Sequence, residues 1–206
     1  MESRAARCLP VQVTVCYKLG MARTVVACLG DSITEGSPYW DARLRHGDPR
    51  GRWQHWAALA HPGLEFRNHG IWGERTDEIA ARFDEAVAGA DVLILQGGIN
   101  DLAQGRSIES AATNLAAMVE RAVARGLPVA VCDVLPWPNG WPAQEAPIRA
   151  LNERIRALGV PLLPFHDTLE DPDAPGRMKR AWCNDDGDHP SIEGYRRLGE
   201  LAFRLP

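Results

Sequence analysis

The 206-residue sequence lacks several features that would point to common classes of protein. It has no internal repeat or low-complexity tract, and no apolar run approaches the roughly 20 residues that a membrane-spanning helix needs. Acidic and basic residues are interspersed and the formal net charge is −4, so no basic stripe indicates a nucleic-acid partner. These absences leave a water-soluble globular protein as the expected class.

Cysteine patterns typical of metal sites are also missing. The five cysteines include no Cys-x-x-Cys pair and no Cys/His cluster with ligand spacing, which argues against a structural zinc site. Their number is odd, and Cys28 and Cys132 lie in apolar, strand-like runs where a free thiol packs as a small hydrophobe. We therefore expect reduced cysteines and a cytoplasmic protein.

The first 20 residues have no continuous apolar region followed by a small-residue cleavage site, so they make a poor signal peptide. Met21 opens the segment MARTVVACLGDS, which would be a natural start for a buried first strand. A chain of this length is enough for one well-buried sheet and short for two domains. We therefore expect residues 1–20 to be an extension outside the core and residues 21–206 to form a single domain.

Short β-rich runs alternate with helix-like stretches from Thr24 onwards. The strand-like runs are 24–29, 64–68, 92–95, 128–134 and 162–165, and the helical stretches include 76–87 with Thr76 as N-cap, 107–125 and 192–205. Apolar strands separated by helices predict a flavodoxin-like α/β/α domain with a mainly parallel five-stranded sheet. In such a sheet, ligands bind at the edge formed by the C-terminal ends of the strands.

Three of these strand-like runs end in segments that carry reactive or hydrogen-bonding groups. The first leads into Ser32 at a strand-to-helix junction, where a hydroxyl and a backbone N–H can face the same space. The second leads into Gly70, which lets the backbone approach a ligand closely, and the third leads into Asn100, which can donate from its amide. Because parallel strands share one C-terminal edge, we expect these groups to meet in one crevice.

A fourth segment, near the C-terminus, supplies an imidazole and a carboxylate. His189 follows Asp186 by three positions, a spacing at which the carboxylate can fix the tautomer and orientation of the ring. Each of the four segments alone is more often a simple turn, loop or cap. Together they supply a nucleophile, a base, an orienting acid and amide donors, which predicts acyl transfer.

The order and the residues of these segments resemble those of the GDSL family of esterases and lipases, also called SGNH hydrolases. The similarity runs over residues 24–205 through GDSI, a glycine after the second strand, GIND and DGDHP. It implies that Ser32 is the nucleophile and His189 its base in a serine esterase acting on carboxylic esters. It also implies Asp186 as the acid that orients His189, because the neighbouring Asp188 stands off the pattern position.

The same resemblance implies the rest of the site. The oxyanion hole would be formed by the backbone N–H groups of Ser32 and Gly70 with the side chain of Asn100. Asp31 and Asp101 would have supporting hydrogen-bond roles. The family chemistry implies no cofactor, neither a metal ion nor an organic group.

The substrate is expected to be a small-molecule ester with a short acyl group, because no long lid insertion separates the motifs. Four of the seven tryptophans flank the polar segments and can rim the crevice, although packing within loops explains each of them equally well. These candidates for substrate binding are Trp72, Trp137, Trp141 and Trp182. Trp72 stands where many family members have a small residue, so the shape of the substrate is open.

Three other functions stay open on the sequence alone. A carbohydrate O-acetylesterase would use the tryptophans to stack on sugar, and a thioesterase or lysophospholipase would use the same triad. An inactive flavodoxin-like binding domain would be expected to lack a catalytic group, whereas all the candidates are present. The sequence sets no oligomeric state.

Overall fold

The central sheet has five parallel strands. The structure, a computed structural model, describes residues 23–41, 43–44 and 46–206. Its strands are β1 (Thr24–Gly30), β2 (Trp40–Asp41), β3 (His46–Gly47), β4 (Leu64–Gly70), β5 (Val92–Leu95), β6 (Val129–Cys132), β7 (Leu162–Leu163), β8 (Glu170–Asp171) and β9 (Ala174–Met178). The sheet order is β4-β1-β5-β6-β7, and β2-β3 and β8-β9 are short antiparallel pairs. This is the flavodoxin-like order, and it confirms the predicted fold class.

Helices connect the strands of the sheet. They are α1 (Ser32–Glu35), α2 (Trp53–Ala60), α3 (Thr76–Ala81), α4 (Phe83–Ala86), α5 (Ile99–Ala103), α6 (Ile108–Ala124), α7 (Glu145–Arg156), α8 (Phe165–Leu169) and α9 (Ile192–Arg197). A π-helical turn over Leu198–Ala202 continues α9, so the helix predicted for 192–205 keeps α geometry only in its first half. Three 3-10 turns lie at Pro49–Gly51, Pro138–Gly140 and Arg180–Trp182.

The helix predicted for 76–87 is two helices. Arg82 leaves helical geometry with φ −98° and ψ 3°, and its guanidinium donates to Glu74 and to the carbonyl oxygen of His69. The turn is therefore held against the end of β4 instead of continuing the helix. Thr76 is the first helical residue and not the cap, since Arg75 occupies the N-cap position.

Alternate residues of the strands enter two hydrophobic clusters, one on each face of the sheet. Ala27 and Leu29 pack with α3, α6 and α7, whereas Val26 and Cys28 pack with α2 and α9 around the fully buried Trp53. The sheet is thus covered on both faces, as its apolar runs predict. The cysteines at 28, 132 and 183 are free and buried.

The pairing register brings the ends of three strands together. Gly30 at the end of β1 pairs with Gly70 of β4, and Leu29 pairs with Leu95 of β5. The segments that follow these strands therefore leave the sheet side by side, at the position where the strand order reverses. This is the position at which open α/β sheets bind ligands.

The predicted extension at residues 1–20, with Cys8 and Cys16, lies outside the described residues. In the described part of the chain, no helix combines the length and the apolar character that crossing a bilayer requires.

Candidate active site

A rigid turn presents Ser32 at the first position of α1. Asp31 caps the helix by accepting the N–H of Ile33 at 2.9 Å, and its own N–H donates to Gln96 Oε1 at 3.2 Å. The Thr34 hydroxyl donates to the same Gln96 oxygen at 2.8 Å. Gln96, a buried residue directly after β5, therefore ties the start of α1, and with it Ser32, to the sheet.

The His189 ring is oriented by Asp186. His189 Nδ1 lies 2.8 Å from Asp186 Oδ2, and Asp186 Oδ1 accepts the N–H groups of Asp188 at 2.9 Å and of His189 at 3.0 Å. Burial alone would raise the pKa of Asp186, but these hydrogen bonds outweigh it and hold that pKa below its ordinary value. A carboxylate kept ionised in this way favours a proton on Nδ1 and leaves Nε2 to act as a base.

Asp188 has other partners. Its Oδ1 accepts hydrogen bonds from Trp137 Nε1 and Asn139 Nδ2, each at 2.7 Å. The geometry therefore assigns the orienting contact to Asp186, the acid that the motif position favours.

Ser32 and His189 open onto one cavity of about 280 Å³. Its lining combines polar groups with apolar side chains: Ser32, Ile33, Trp72, Gly73, Ile99, Asn100, Ala103, Gln104, Trp137, Asp188 and His189. Among the hydrogen bonds of the described residues, none joins the Ser32 hydroxyl directly to the His189 ring. Hydrogen bonds between nucleophile and base often reach full alignment only in the substrate complex.

Three amide donors border this cavity. Asn100, the second residue of α5, donates one Nδ2 hydrogen to the carbonyl oxygen of Glu74 at 3.0 Å, which fixes the amide and leaves its second N–H for a ligand. The backbone N–H groups of Ser32 and Gly73 meet no acceptor among the described residues. Unpaired donors that converge on a cavity can bind an oxyanion.

Gly70 is not one of these donors, which corrects the prediction from the sequence. Its N–H donates to Asn68 Oδ1 at 2.9 Å, and it is not among the residues that line the cavity. A Cβ at this position would overlap the backbone nitrogen of Glu35, so packing against α1 explains the glycine.

The glycine that borders the cavity is Gly73, three residues further on. Its φ of +78° lies in the left-handed region that favours glycine, and a Cβ there would meet open space. Gln104 Nε2 donates to the Gly73 carbonyl oxygen at 3.2 Å and so helps to set the direction of this peptide. The second glycine of Gly-Ile-Trp-Gly was the available signal in the sequence.

The two supporting aspartates lie beneath the site. Asp101 accepts the N–H of Thr76 at 2.9 Å and its hydroxyl at 2.7 Å, which joins the start of α3 to α5, and burial raises the pKa of Asp101. Asp31 is fully buried, and its Oδ2 has no partner among the described residues. Burial raises the pKa of Asp31 to about 6, although the Ile33 N–H and the positive charge of a protonated His189 act in the opposite direction.

The structure separates the four candidate tryptophans into two pairs. Trp72, with 68% of its surface exposed, and Trp137 both line the cavity. The Trp141 ring lies against the Arg177 guanidinium, and the centre of the Trp182 ring lies 3.8 Å from the guanidinium carbon of Arg197. Neither Trp141 nor Trp182 is among the lining residues, so packing against arginine accounts for that pair.

One group in the described residues has the donor atoms for a cation. The ligand atoms of His166, Asp167 and Glu170 lie within 4.8 Å of one another. Arg149 pairs with Glu170 at 2.9 Å, and Arg156 lies 3.9 Å from Asp167, so guanidinium groups already balance these carboxylates. None of the three lines the cavity around Ser32.

Comparison with known proteins gives one family and many similar folds. The family described as GDSL-like Lipase/Acylhydrolase matches residues 28–197. A structure described as a lipolytic protein of the G-D-S-L family from Desulfitobacterium hafniense DCB-2 is 23% identical, with a TM-score of 0.72 over 86% of this chain and 97% of that one. No curated protein matches the sequence significantly.

Two further structures show the breadth of the fold. A GDSL-like lipase from Bacteroides thetaiotaomicron is 24% identical, with a TM-score of 0.65, over 86% of this chain and 85% of that one. An acetyl xylan esterase from Geobacillus stearothermophilus is 16% identical, with a TM-score of 0.68, over 85% of this chain and 91% of that one. At these identities the likeness concerns the fold.

Proposed function

We propose that this chain, which belongs to the GDSL-like lipase/acylhydrolase family, hydrolyses short-chain carboxylic esters with Ser32 as its nucleophile. Membership of the family supports an acylhydrolase. The observation that carries the finer proposal is the single cavity onto which the Ser32 hydroxyl, the His189 ring and the Asn100 amide all open.

In the first step, His189 acts as the general base. Nε2 takes the proton of Ser32 Oγ while Oγ forms a bond to the carbonyl carbon of the ester and the carbonyl π electrons move onto oxygen. Asp186 stays ionised, accepts the Nδ1 hydrogen bond over an N–O distance of 2.8 Å and stabilises the imidazolium ion.

The negative oxygen of the tetrahedral intermediate is stabilised by three donors. We assign these to the N–H groups of Ser32 and Gly73 and the second N–H of Asn100. The Glu74 carbonyl holds Asn100 in place before the reaction, so little reorganisation is needed. Removal of one such donor typically costs about 2.7–4 kcal/mol of transition-state stabilisation.

Collapse of the intermediate completes acyl transfer. The imidazolium gives its proton to the alcohol oxygen as the carbon–oxygen bond breaks, leaving an acyl group on Ser32. Water then attacks this ester with His189 again as the base, and the acid is released as Ser32 recovers its proton.

The size and lining of the cavity favour a short acyl group. About 280 Å³ lies beside Ser32, and Ile33, Ile99 and Ala103 supply its apolar surface. An acetyl or butyryl chain buries its carbons there, whereas a long chain extends into water.

A panel of p-nitrophenyl esters from acetate to decanoate tests the proposal. Wild type should prefer the short esters, and Ser32→Ala and His189→Ala should each lower kcat by about 10⁴-fold or more. Ser110→Ala, at an exposed position in α6, is the matched control and should keep full activity. Hydrolysis that persists in Ser32→Ala would contradict the assignment.

A further inference from the structure

We propose that a second cleft beside His189 binds the alcohol half of the ester, and that Glu35 and Trp72 there select an uncharged, hydroxyl-rich alcohol such as a sugar. The inference rests on the proposed ester hydrolysis and adds the chemical class of the leaving group.

The second cleft adjoins the cavity around Ser32. It has a volume of about 560 Å³ and shares His189, Trp72 and Asp188 with the first cavity. Glu35 and Asp41 line only the second cleft. The imidazole therefore stands at the boundary between two compartments of different composition.

The direction of proton transfer shows which compartment takes the acyl half of the substrate and which takes the alcohol half. The imidazolium must donate its proton to the leaving oxygen, so the alcohol lies on the imidazole side of the scissile bond. The compartment that contains Ser32, Asn100 and the apolar side chains then takes the acyl group. The larger, carboxylate-lined compartment takes the alcohol.

Glu35 supplies a buried acceptor in this cleft. Only 6% of the residue is exposed, and its Oε2 accepts the Ser37 hydroxyl. Its Oε1 has no hydrogen-bond partner among the described residues, although the side chain lines the cleft. A carboxylate only accepts hydrogen bonds, so the group that satisfies it must carry a donor, as an alcohol hydroxyl does.

Arg52 lies close to Glu35 but makes no ion pair with its carboxylate. Arg52 donates to the backbone carbonyl oxygen of Glu35 at 2.9 Å, and its guanidinium carbon lies 3.4 Å from the centre of the Trp40 ring. Within the described residues, no side-chain ion pair joins Arg52 to Glu35. The Glu35 carboxylate therefore faces the cleft with one oxygen available.

Trp72 supplies a flat apolar face at the boundary of the two compartments. Its side chain lines both, and 68% of the residue is exposed. An amphipathic ligand with hydroxyls along one edge and C–H groups on its face, such as a pyranose ring, can pack on the indole while its hydroxyls reach Glu35.

The charge of the cleft disfavours anionic alcohols. Asp41, Asp186 and Asp188 line it together with Glu35, and Arg43 is the cation among its lining residues. A phosphate on the leaving group, as on the thiol of a coenzyme A thioester or the alcohol of a lysophospholipid, would meet this excess of carboxylates. The charge of the cleft therefore disfavours the binding of these two classes of leaving group.

Two acetate esters with the same acyl group test the inference, a methyl glucoside monoacetate, whose other hydroxyls are free, and ethyl acetate. Because the acyl group is the same, the kcat/KM for the glucoside ester divided by the kcat/KM for ethyl acetate reports on the alcohol half alone. Glu35→Gln keeps the size of the side chain and can still accept the Ser37 hydroxyl, but offers an amide where the sugar hydroxyl needs an acceptor.

Glu35→Gln should lower this ratio by about 10-fold or more, the loss expected for one hydrogen bond to a charged group. Glu120→Gln, the same change at an exposed position of α6, should leave the ratio unchanged. Trp72→Ala, at a surface position that does not threaten folding, should lower the ratio mainly through KM. A 6-phosphate on the glucoside should reduce kcat/KM in wild type.

An unchanged ratio in both Glu35→Gln and Trp72→Ala would overturn the inference, as would wild type that hydrolyses ethyl acetate but no sugar acetate. Either result leaves the esterase proposal intact. Failure to hydrolyse any ester, or equal activity in Ser32→Ala, would instead overturn the esterase proposal itself.

Discussion

Asp186 and Asp188 are two carboxylates two positions apart with different partners. Asp186 holds the His189 ring at 2.8 Å, and Asp188 binds Trp137 and Asn139. We predict that Asp186→Asn lowers kcat on p-nitrophenyl acetate by roughly 10⁴-fold, because the wrong ring tautomer is then favoured. Asp188→Asn, which can still accept both hydrogen bonds, should change kcat by less than about 10-fold.

The pH profile of kcat tests the ionised state of Asp186. The hydrogen bonds to Asp186 hold its pKa below the ordinary value, so its contribution to kcat persists as the pH falls until that low pKa is reached. Comparable kcat losses in Asp186→Asn and Asp188→Asn would contradict the assignment of the orienting acid.

Residue identities in the motifs were readable from the sequence, whereas the choice between two glycines was not. Gly70 is the last residue of β4 and Gly73 follows three positions later, and the sequence pattern allows either glycine as the donor. The difference lies in the Asn68 side chain that captures the Gly70 N–H and in the positive φ of Gly73. Both depend on how the chain leaves the sheet edge, which the sequence does not state.

At the scale of elements, the chain between β4 and α3 connects a glycine that packs against α1, Gly70, with the glycine that we assign to the oxyanion hole, Gly73. We predict that Gly70→Ala lowers the free energy of unfolding by about 1–3 kcal/mol or more, because the new methyl group overlaps the backbone of α1. Gly73→Ala should cost only about 1–2 kcal/mol, for the left-handed backbone, but should lower kcat because the N–H is redirected.

Urea unfolding and ester kinetics on both variants check this prediction. Gly73→Ala with wild-type kcat would remove Gly73 from the oxyanion hole. Gly70→Ala with wild-type stability would show that the close approach to α1 is not required.

Strands β1, β5 and β6 were predictable because their apolar runs are buried, as in VLIL of β5, whereas β4 mixes polar and apolar residues and is only partly buried. The pairs β2-β3 and β8-β9 were not predicted, since each includes a two-residue strand whose pairing depends on tertiary contacts. The break between α3 and α4 was also missed. It arises from the contact of Arg82 with Glu74, eight residues earlier in the chain and outside the helical period.

At the scale of the whole molecule, the buried Asp31 links folding to pH. Burial raises its pKa from 3.8 to about 6, so the folded state binds this proton more tightly than the unfolded state. The stability that Asp31 contributes is therefore greatest below about pH 4 and is lost as the pH rises through 6. This shift in the pKa of Asp31 corresponds to about 3 kcal/mol of folding free energy, at about 1.36 kcal/mol per pKa unit.

Asp31→Asn removes this titration while an amide oxygen can still cap α1. We predict that the free energy of unfolding of the variant relative to wild type increases between pH 4 and pH 7, by up to about 3 kcal/mol. Urea unfolding of both proteins at several pH values measures this difference. Burial also raises the pKa of Asp133 to about 6, but Asp133 is present in both proteins, so its contribution cancels in the difference. A pH-independent difference would contradict the cost assigned to the buried carboxylate.

The most direct test of whether the His189 imidazole activates the Ser32 hydroxyl is labelling with a fluorophosphonate, followed by peptide mass spectrometry. The account predicts a single adduct on Ser32 in wild type, none in Ser32→Ala, and strongly slowed labelling in His189→Ala. An adduct on another residue, or labelling of Ser32 at an unchanged rate without the imidazole, would contradict it.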